Sequence, residues 1–149
     1  MKYLVDTSLI NKLVDGSVMA AELPSDGLLV ASNIQIAEIQ RTSNAERRSQ
    51  LENKMSEVIA QLTEISDELD TQTSVDAIEA KLNSRNKGKA SNRNDALLAA
   101  YAMKHGYALL TADLDLYEVA YILGVGVMYW TTAAPNKSFK RDVVKPTRA

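Results

Sequence analysis

Five acidic residues stand where a carboxylate can do more than carry surface charge. Asp6 follows the apolar run Tyr3-Leu4-Val5 and precedes the hydroxyl pair Thr7-Ser8. Asp113 follows Ala108-Leu109-Leu110-Thr111-Ala112, with Asp115 close behind. An acid directly after a buried strand sits at the edge where open α/β sheets bind ligands. Glu38 lies on a short helix and Asp95 at the start of another. Taken singly, each has an ordinary role: a cap or turn for Asp6 and Asp113, a first-turn acid for Asp95, and a solvated helix face for Glu38. Carboxylates brought together in a partly desolvated cleft repel one another and raise each other's pKa, and a divalent cation relieves this. All-oxygen ligands suit Mg²⁺ or Mn²⁺. Such an ion lowers the pKa of a bound water, polarises a phosphodiester and steadies a leaving oxygen.

The elements that must position these acids follow from periodicity and breakers. Met1 to Val5 reads as a buried strand, Ser8 to Val14 as a short helix stopped by Asp15-Gly16, and Met19 to Leu23 as a further helical turn before Pro24 to Gly27. Leu28 to Ala31 is a second strand, and Ser32 or Asn33 caps a helix from Ile34 to about Arg41. Ala45 to Glu68 contains no Gly or Pro and repeats apolar residues at steps of three and four, which predicts one long amphipathic helix, with a short extended segment over Glu64 to Asp70 as the alternative for its end. Thr73 to Leu82 predicts another helix, the two forming an arm with a mixed-charge surface. Ser84 to Asn94 reads as a polar loop, and Asp95 to Lys104 as a helix capped by Asn92 or Asn94 and closed by His105-Gly106. Ala108 to Thr111 is a strand, Leu116 to Leu123 a helix, and Val125 to Trp130 the last strand.

Strands alternating with helices imply a three-layer α/β/α fold around a central, mainly parallel sheet of four to five strands, with the helical arm appended. In such a sheet the strand C-termini share one edge, so Asp6 and Asp113 converge there and Asp95 reaches the same crevice from a helix N-terminus.

A chain of 149 residues is about one domain, and 46% hydrophobic with 24% charged residues is the composition of an ordinary globular protein. No apolar run approaches membrane-spanning length and the N-terminus reads as a strand, so no membrane association is expected and the cytoplasm is the default compartment. The absence of cysteine rules out disulfides, thiolate zinc sites and cysteine nucleophiles, and the single His105 leaves no histidine-rich zinc site. The five basic residues from Lys137 to Arg148 face only Asp142 in that segment, so within a formal net charge of -2 the remaining body is acidic. That argues against a general electrostatic nucleic-acid binder. The division expected is a domain over residues 1–132 and a flexible basic tail over 133–149.

The stretches Leu4-Val5-Asp6-Thr7-Ser8, Ile36-Ala37-Glu38-Ile39, Asn94-Asp95-Ala96-Leu97-Leu98-Ala99-Ala100 and Leu110-Thr111-Ala112-Asp113-Leu114-Asp115 resemble, in order, the PIN-domain ribonucleases. Within that family they resemble the VapC-type toxins of toxin–antitoxin pairs. The resemblance covers the chain to about residue 132. It implies metal-dependent endoribonuclease cleavage of RNA by in-line attack of water without a covalent intermediate, a homodimer, and a small antitoxin inserting near the active groove. It also implies that Asp6, Glu38, Asp95 and Asp113 are the metal-binding acids, that Asp115 is a further ligand or a supporting acid, and that Thr7, Ser8 and Thr111 hydrogen-bond the carboxylates or a metal-bound water. One departure is Thr42, where a glycine often follows the helical glutamate, which puts the turn after Glu38 in question.

Arg41, Lys87, Lys89 and Arg93 flank the expected cleft and are candidates to hold RNA phosphates, against an equal case for simple solvation. Tyr101, Tyr107 and Tyr117 read as core or boundary residues, and His105 as a partner for the C-terminus of its helix. The alternatives are a solitary PIN-domain nuclease in RNA processing and a non-catalytic Mg-binding module for regulation or RNA binding. A phosphoacceptor module would need an acceptor on a central strand and a lysine after a later one, whereas the later strands end in Thr111 and Trp130.

Overall fold

The computed structural model describes residues 1–66, 72–133 and 138–144, with side chains over residues 1–66 and 75–130. The chain runs β1 (Lys2–Val5), α1 (Thr7–Val14), a 3-10 turn (Ala20–Glu22), β2 (Leu28–Ser32), α2 (Asn33–Gln40), α3 (Ala45–Val58), β3 (Gln61–Thr63), α4 (Gln72–Asn86), α5 (Asn92–His105), β4 (Ala108–Thr111), α6 (Leu114–Ile122), β5 (Val127–Ala133) and β6 (Ser138–Val144). The sheet order is β3-β2-β1-β4-β5-β6. The first five strands are parallel and β6 is antiparallel to β5.

Strand alternation divides the core between two faces. Leu4, Val30, Leu109 and Val127 point to the layer of α4, α5 and α6. Their neighbours Val5, Ala31, Leu110 and Met128 point to the layer of α1 and α3. Successive side chains of a strand leave opposite faces, so each apolar dipeptide feeds both cores. In α5 the small residues Ala96, Ala99, Ala100 and Ala102 are all buried, which lets the helix backbone approach the sheet closely.

β1 is central, with β2 on one side and β4 on the other. Connections leaving β1 and β4 therefore diverge to opposite sides, making the topological switch point where open sheets bind ligands. Asp6 follows β1 directly, its amide donating to Leu110 O at 2.8 Å, and Asp113 lies just beyond β4. The sheet thus places both acids at the crevice before any side-chain contact is considered.

Several boundaries differ from the sequence expectation. The long helix ends at Val58, because Ile59 turns to an extended conformation (φ -84°, ψ 125°) and Gln61–Thr63 pairs with β2 as an edge strand. β-Branched Val58 and Ile59 favour that exit. The helices grouped as an arm lie on opposite faces, Leu51 and Met55 of α3 in one core and Val75, Ile78 and Leu82 of α4 in the other. The expected loop from Ser84 to Asn94 is shorter, because α4 continues to Asn86 and α5 begins at Asn92. Ser91 is the N-cap of α5 without a side-chain cap bond, so neither Asn92 nor Asn94 caps it. Within the segment expected to be a flexible tail, residues 138–144 form β6, whose backbone extends the sheet beyond β5.

Asn92 has a different task. It is 1% exposed, exchanges side-chain hydrogen bonds with Asn86 at 2.9 and 2.7 Å, and donates to Asn83 Oδ1 at 2.8 Å. These amides lock the α4–α5 turn, in which Lys87 (φ 60°) and Gly88 (φ 77°) both adopt left-handed conformations. Asn92→Ala is expected to cost about 1–3 kcal/mol, the scale for stranding hydrogen-bonding groups at a buried position, read as a lowered denaturation midpoint with an unchanged m-value.

Candidate active site

Asp6 is the N-cap residue of α1, yet its side chain makes no capping hydrogen bond. Its Oδ2 instead accepts from Ser8 Oγ at 2.6 Å and from Thr111 Oγ1 at 2.8 Å. Ser8 and Thr111 lie 3.2 Å apart, Ala112 N donates to Ser8 Oγ at 3.0 Å, and Asp113 N donates to Thr111 Oγ1 at 3.0 Å. One hydroxyl pair therefore ties the end of β1 to the turn after β4. Across the cleft, Thr7 Oγ1 donates to Glu38 Oε1 at 2.7 Å. Glu38 is held on α2 by a helix start rooted in the sheet. Gln35, fully buried, donates to Val5 O at 2.9 Å while its Oε1 accepts from Ser32 N at 2.8 Å and from Ser32 Oγ. Ser32 and Gln35 form a capping box, a spacing visible in the sequence.

Asp113 caps α6, its Oδ1 accepting from Leu116 N at 3.1 Å, and its Oδ2 lies 3.5 Å from Lys89 Nζ. Asp95 lies in the first turn of α5 and is 6% exposed. No hydrogen bond or ion pair holds the Asp95 carboxylate among the described residues.

The four carboxylates feel one another. Burial pushes Asp6 up to about 6, opposed by the hydrogen bonds from Ser8 and Thr111 and reinforced by the charges of Glu38 and Asp113. Burial pushes Asp95 up to about 9, reinforced by Asp6, Asp113 and Glu38 and opposed by Lys89. Stability follows with a definite sign. Both folded-state values lie above the ordinary aspartate value of 3.8, so the native state binds more protons than the unfolded chain above that pH, and without a divalent cation these groups lower stability as pH rises.

The donor set fits a hard divalent cation: oxygen ligands alone, concentrated negative charge, and one buried carboxylate lacking a protein partner. Among the described residues, no group of three acidic or histidine side chains closes on a single point. The candidate centre is thus defined by mutual charge and by the hydroxyls that orient the acids, rather than by a finished cage. Asp6, Glu38, Asp95 and Asp113 are the groups that could hold the ion.

Asp115 is not brought to them. It is the second residue of α6, turned toward α4, where its Oδ1 lies 3.4 Å from Arg85 Nε. Arg93 is likewise committed elsewhere, its guanidinium 2.8 Å from Asp76 and 3.3 Å from Glu79. Lys87 is exposed in the α4–α5 turn, Lys89 leans on Asp113, and Arg41 is exposed at the C-cap of α2. The chain leaves α2 through Arg41 in right-handed conformation (φ -81°, ψ -3°). No left-handed residue is needed at Thr42, which explains the missing glycine. His105 packs at a tilt against Tyr101, 4.3 Å between ring centroids, and Tyr117 stacks on Tyr129 at 4.8 Å.

Acids after β1 and β4 at the switch point of a parallel sheet, backed by helices on both faces, define an α/β domain with a ligand crevice at its strand C-terminal edge. The PIN-domain family model matches residues 3–121, and the chain belongs to the PIN-domain family, a family of nucleases. The PIN-domain endonuclease Utp24 superposes with TM-score 0.60 at 14% identity, over 99% of this chain and 96% of that one. A domain of a functionally unknown protein from Methanocaldococcus jannaschii DSM 2661 superposes with TM-score 0.56 at 17% identity, over 91% and 94%. At such identities the likeness is one of fold. No curated protein matches the sequence. Among the described residues, no helix is long and apolar enough to cross a membrane.

Proposed function

We infer that this PIN domain is a Mg²⁺- or Mn²⁺-dependent endoribonuclease and the toxin of a toxin–antitoxin pair, working as a homodimer restrained by a small antitoxin protein. The observation that carries the nuclease reading is the placement of Asp6 and Asp113 directly after the adjacent strands β1 and β4 at the switch point, with the buried Asp95 carboxylate left without a partner among the described residues. The toxin assignment rests on the VapC-like sequence stretches around these same acids.

In this reading Asp6, Glu38, Asp95 and Asp113 hold the cation. When bound, it supplies charge stabilisation to a phosphodiester under in-line attack and lowers the pKa of an attacking water. The chain's own residues set the geometry. Ser8 and Thr111 fix the Asp6 carboxylate from one side, and Thr7 fixes Glu38. Lys89 neutralises part of the excess negative charge beside Asp113 and is the flanking cation best placed to meet a substrate phosphate.

Thr111→Val keeps the side-chain shape while removing a hydroxyl that serves both Asp6 and Asp113 N. Divalent cation affinity is expected to fall about 10–100-fold, the scale for removing a group that orients a ligand, as read by calorimetric titration with Mn²⁺. The toxin role is tested by tightly controlled expression of wild type and Asp6→Asn. Arrested growth and degraded RNA with wild type alone supports it. Unimpaired growth, with RNA cleavage by the purified protein intact, points instead to a solitary RNA-processing nuclease.

A further inference from the structure

Beside the acid cluster, between α2 and α5, lies a cavity of about 300 Å³. Its polar walls adjoin the candidate ligands in sequence: Arg41 is three residues beyond Glu38, and Asn94 immediately precedes Asp95. Residues three apart on a helix are surface neighbours and consecutive Cα atoms are about 3.8 Å apart. The cavity therefore begins within roughly one nucleotide's reach of the acids.

Ile34, Ile65 and Leu97, all nearly fully buried, form its floor, and Ala37 is the half-buried apolar residue at its wall. Asn33 keeps that surface in place, since its Nδ2 donates to Ile65 O at 3.0 Å while its Oδ1 accepts from Ile65 N at 2.7 Å. Both ends of Asn33 are thereby used within the protein. Arg41 and Asn94 differ: among the described residues neither the guanidinium nor the carboxamide has a hydrogen-bond or ion-pair partner. A phosphate would use the charge of Arg41 but not the carboxamide oxygen of Asn94. A base edge, which carries donors and acceptors together, uses both side chains.

We propose that this cavity is a nucleobase subsite that takes a purine flanking the scissile phosphate of single-stranded RNA, its edge read by Arg41 and Asn94. The proposal rests on the nuclease reading and deepens it. Arginine and asparagine both make bidentate pairs with the purine N7 edge, arginine to guanine and asparagine to adenine. Unstacked bases of single-stranded RNA are recognised by such edge contacts combined with packing of the ring.

The test is anisotropy titration of fluorescein-labelled oligoadenylate, oligouridylate, oligocytidylate and a guanine-containing RNA with the cleavage-blocked Asp6→Asn protein in EDTA, and with the same protein carrying Arg41→Lys or Asn94→Ala. Purine RNAs are expected to bind about tenfold more tightly than pyrimidine RNAs, the scale of one bidentate pair. Each added substitution is expected to collapse that ratio toward one without changing Tm, because neither side chain has a partner to lose. Arg41→Lys retains the charge, so a preserved purine preference in that variant overturns base reading. Equal binding of all four RNAs overturns it too, as does the absence of binding. A parallel assay of wild type with Mg²⁺ and Mn²⁺ keeps the two readings apart. RNA cut with no dependence of base preference on Arg41 and Asn94 removes the subsite and leaves the nuclease. Uncut RNA removes the nuclease, and the binding ratio still judges the cavity.

Discussion

Asp95→Asn is expected to silence RNA cleavage while making the metal-free protein more stable. The side chain is nearly isosteric, so the helix start and the surrounding core persist. Activity is expected to fall on the order of 10²–10³-fold, the scale of removing one preorganised electrostatic group, measured as the initial rate of RNA cleavage with Mg²⁺ or Mn²⁺. The stability gain comes from the same environment. Burial and the charges of Asp6, Asp113 and Glu38 hold Asp95 at about 9, so its ionised form is unfavourable in the fold, and an amide avoids that cost. Denaturant melts at pH 8 in EDTA are expected to show a gain of about 1–3 kcal/mol, in the range of ordinary single-substitution effects. The gain is expected to shrink as pH falls toward 4, where the wild-type acid is protonated as well. Loss of activity together with loss of stability would mean that Asp95 holds the structure together and is not a ligand waiting for charge.

Added divalent cation is expected to reverse the pH trend of the metal-free protein. With both carboxylates raised from 3.8, Asp6 to about 6 and Asp95 to about 9, metal-free stability declines as pH rises from 3.8, through about 6 for Asp6 and on through about 9 for Asp95. A cation must displace protons from these carboxylates, so its affinity rises over the same interval. At a concentration one hundred times the dissociation constant, binding to the native state alone stabilises by about 2.7 kcal/mol. Thermal melts with Mn²⁺ are therefore expected to show a larger upward shift at pH 8.5 than at pH 5.5. A shift independent of pH would place the bound ion away from Asp6 and Asp95.

How much of this was legible in the sequence depends on how local the signal is. Asp6 and Asp113 announce themselves because a carboxylate after a short apolar strand has few other reasons to recur at one sheet edge. Capping accounts for Asp113, which bonds Leu116 N, but not for Asp6, whose carboxylate turns to Ser8 and Thr111. That distinction needs the packing of β1 against β4. The direction of Asp115 is not legible, because spacing alone does not say which way a helix turns its second residue, and Arg85 on α4 decides it. The engagement of Arg93 is hidden for a similar reason: spacing along the chain does not say that α4 packs beside α5 with Asp76 and Glu79 within its reach.

The division between α3 and β3 was hidden by a helical repeat that runs through Val58 and Ile59 into Leu62. What breaks it is the chance to pair with β2, a tertiary gain that no local propensity reports. The role of Asn92 and the bond from Gln35 to Val5 O were equally out of view. Asn92 and Gln35 are polar residues whose burial becomes intelligible only once their partners Asn86, Asn83, Ser32 and Val5 stand beside them.

The central claim is that Asp6, Glu38, Asp95 and Asp113 form one divalent-cation site. Calorimetric titration of Mn²⁺ into the full chain at pH 8, compared with Asp6→Asn and Asp95→Asn, tests it most directly. The account predicts saturable binding by wild type, weakened at least about tenfold by either substitution, as expected when a coordinating or orienting group is removed. Wild-type binding left unchanged by both substitutions, or no binding at all, would contradict it.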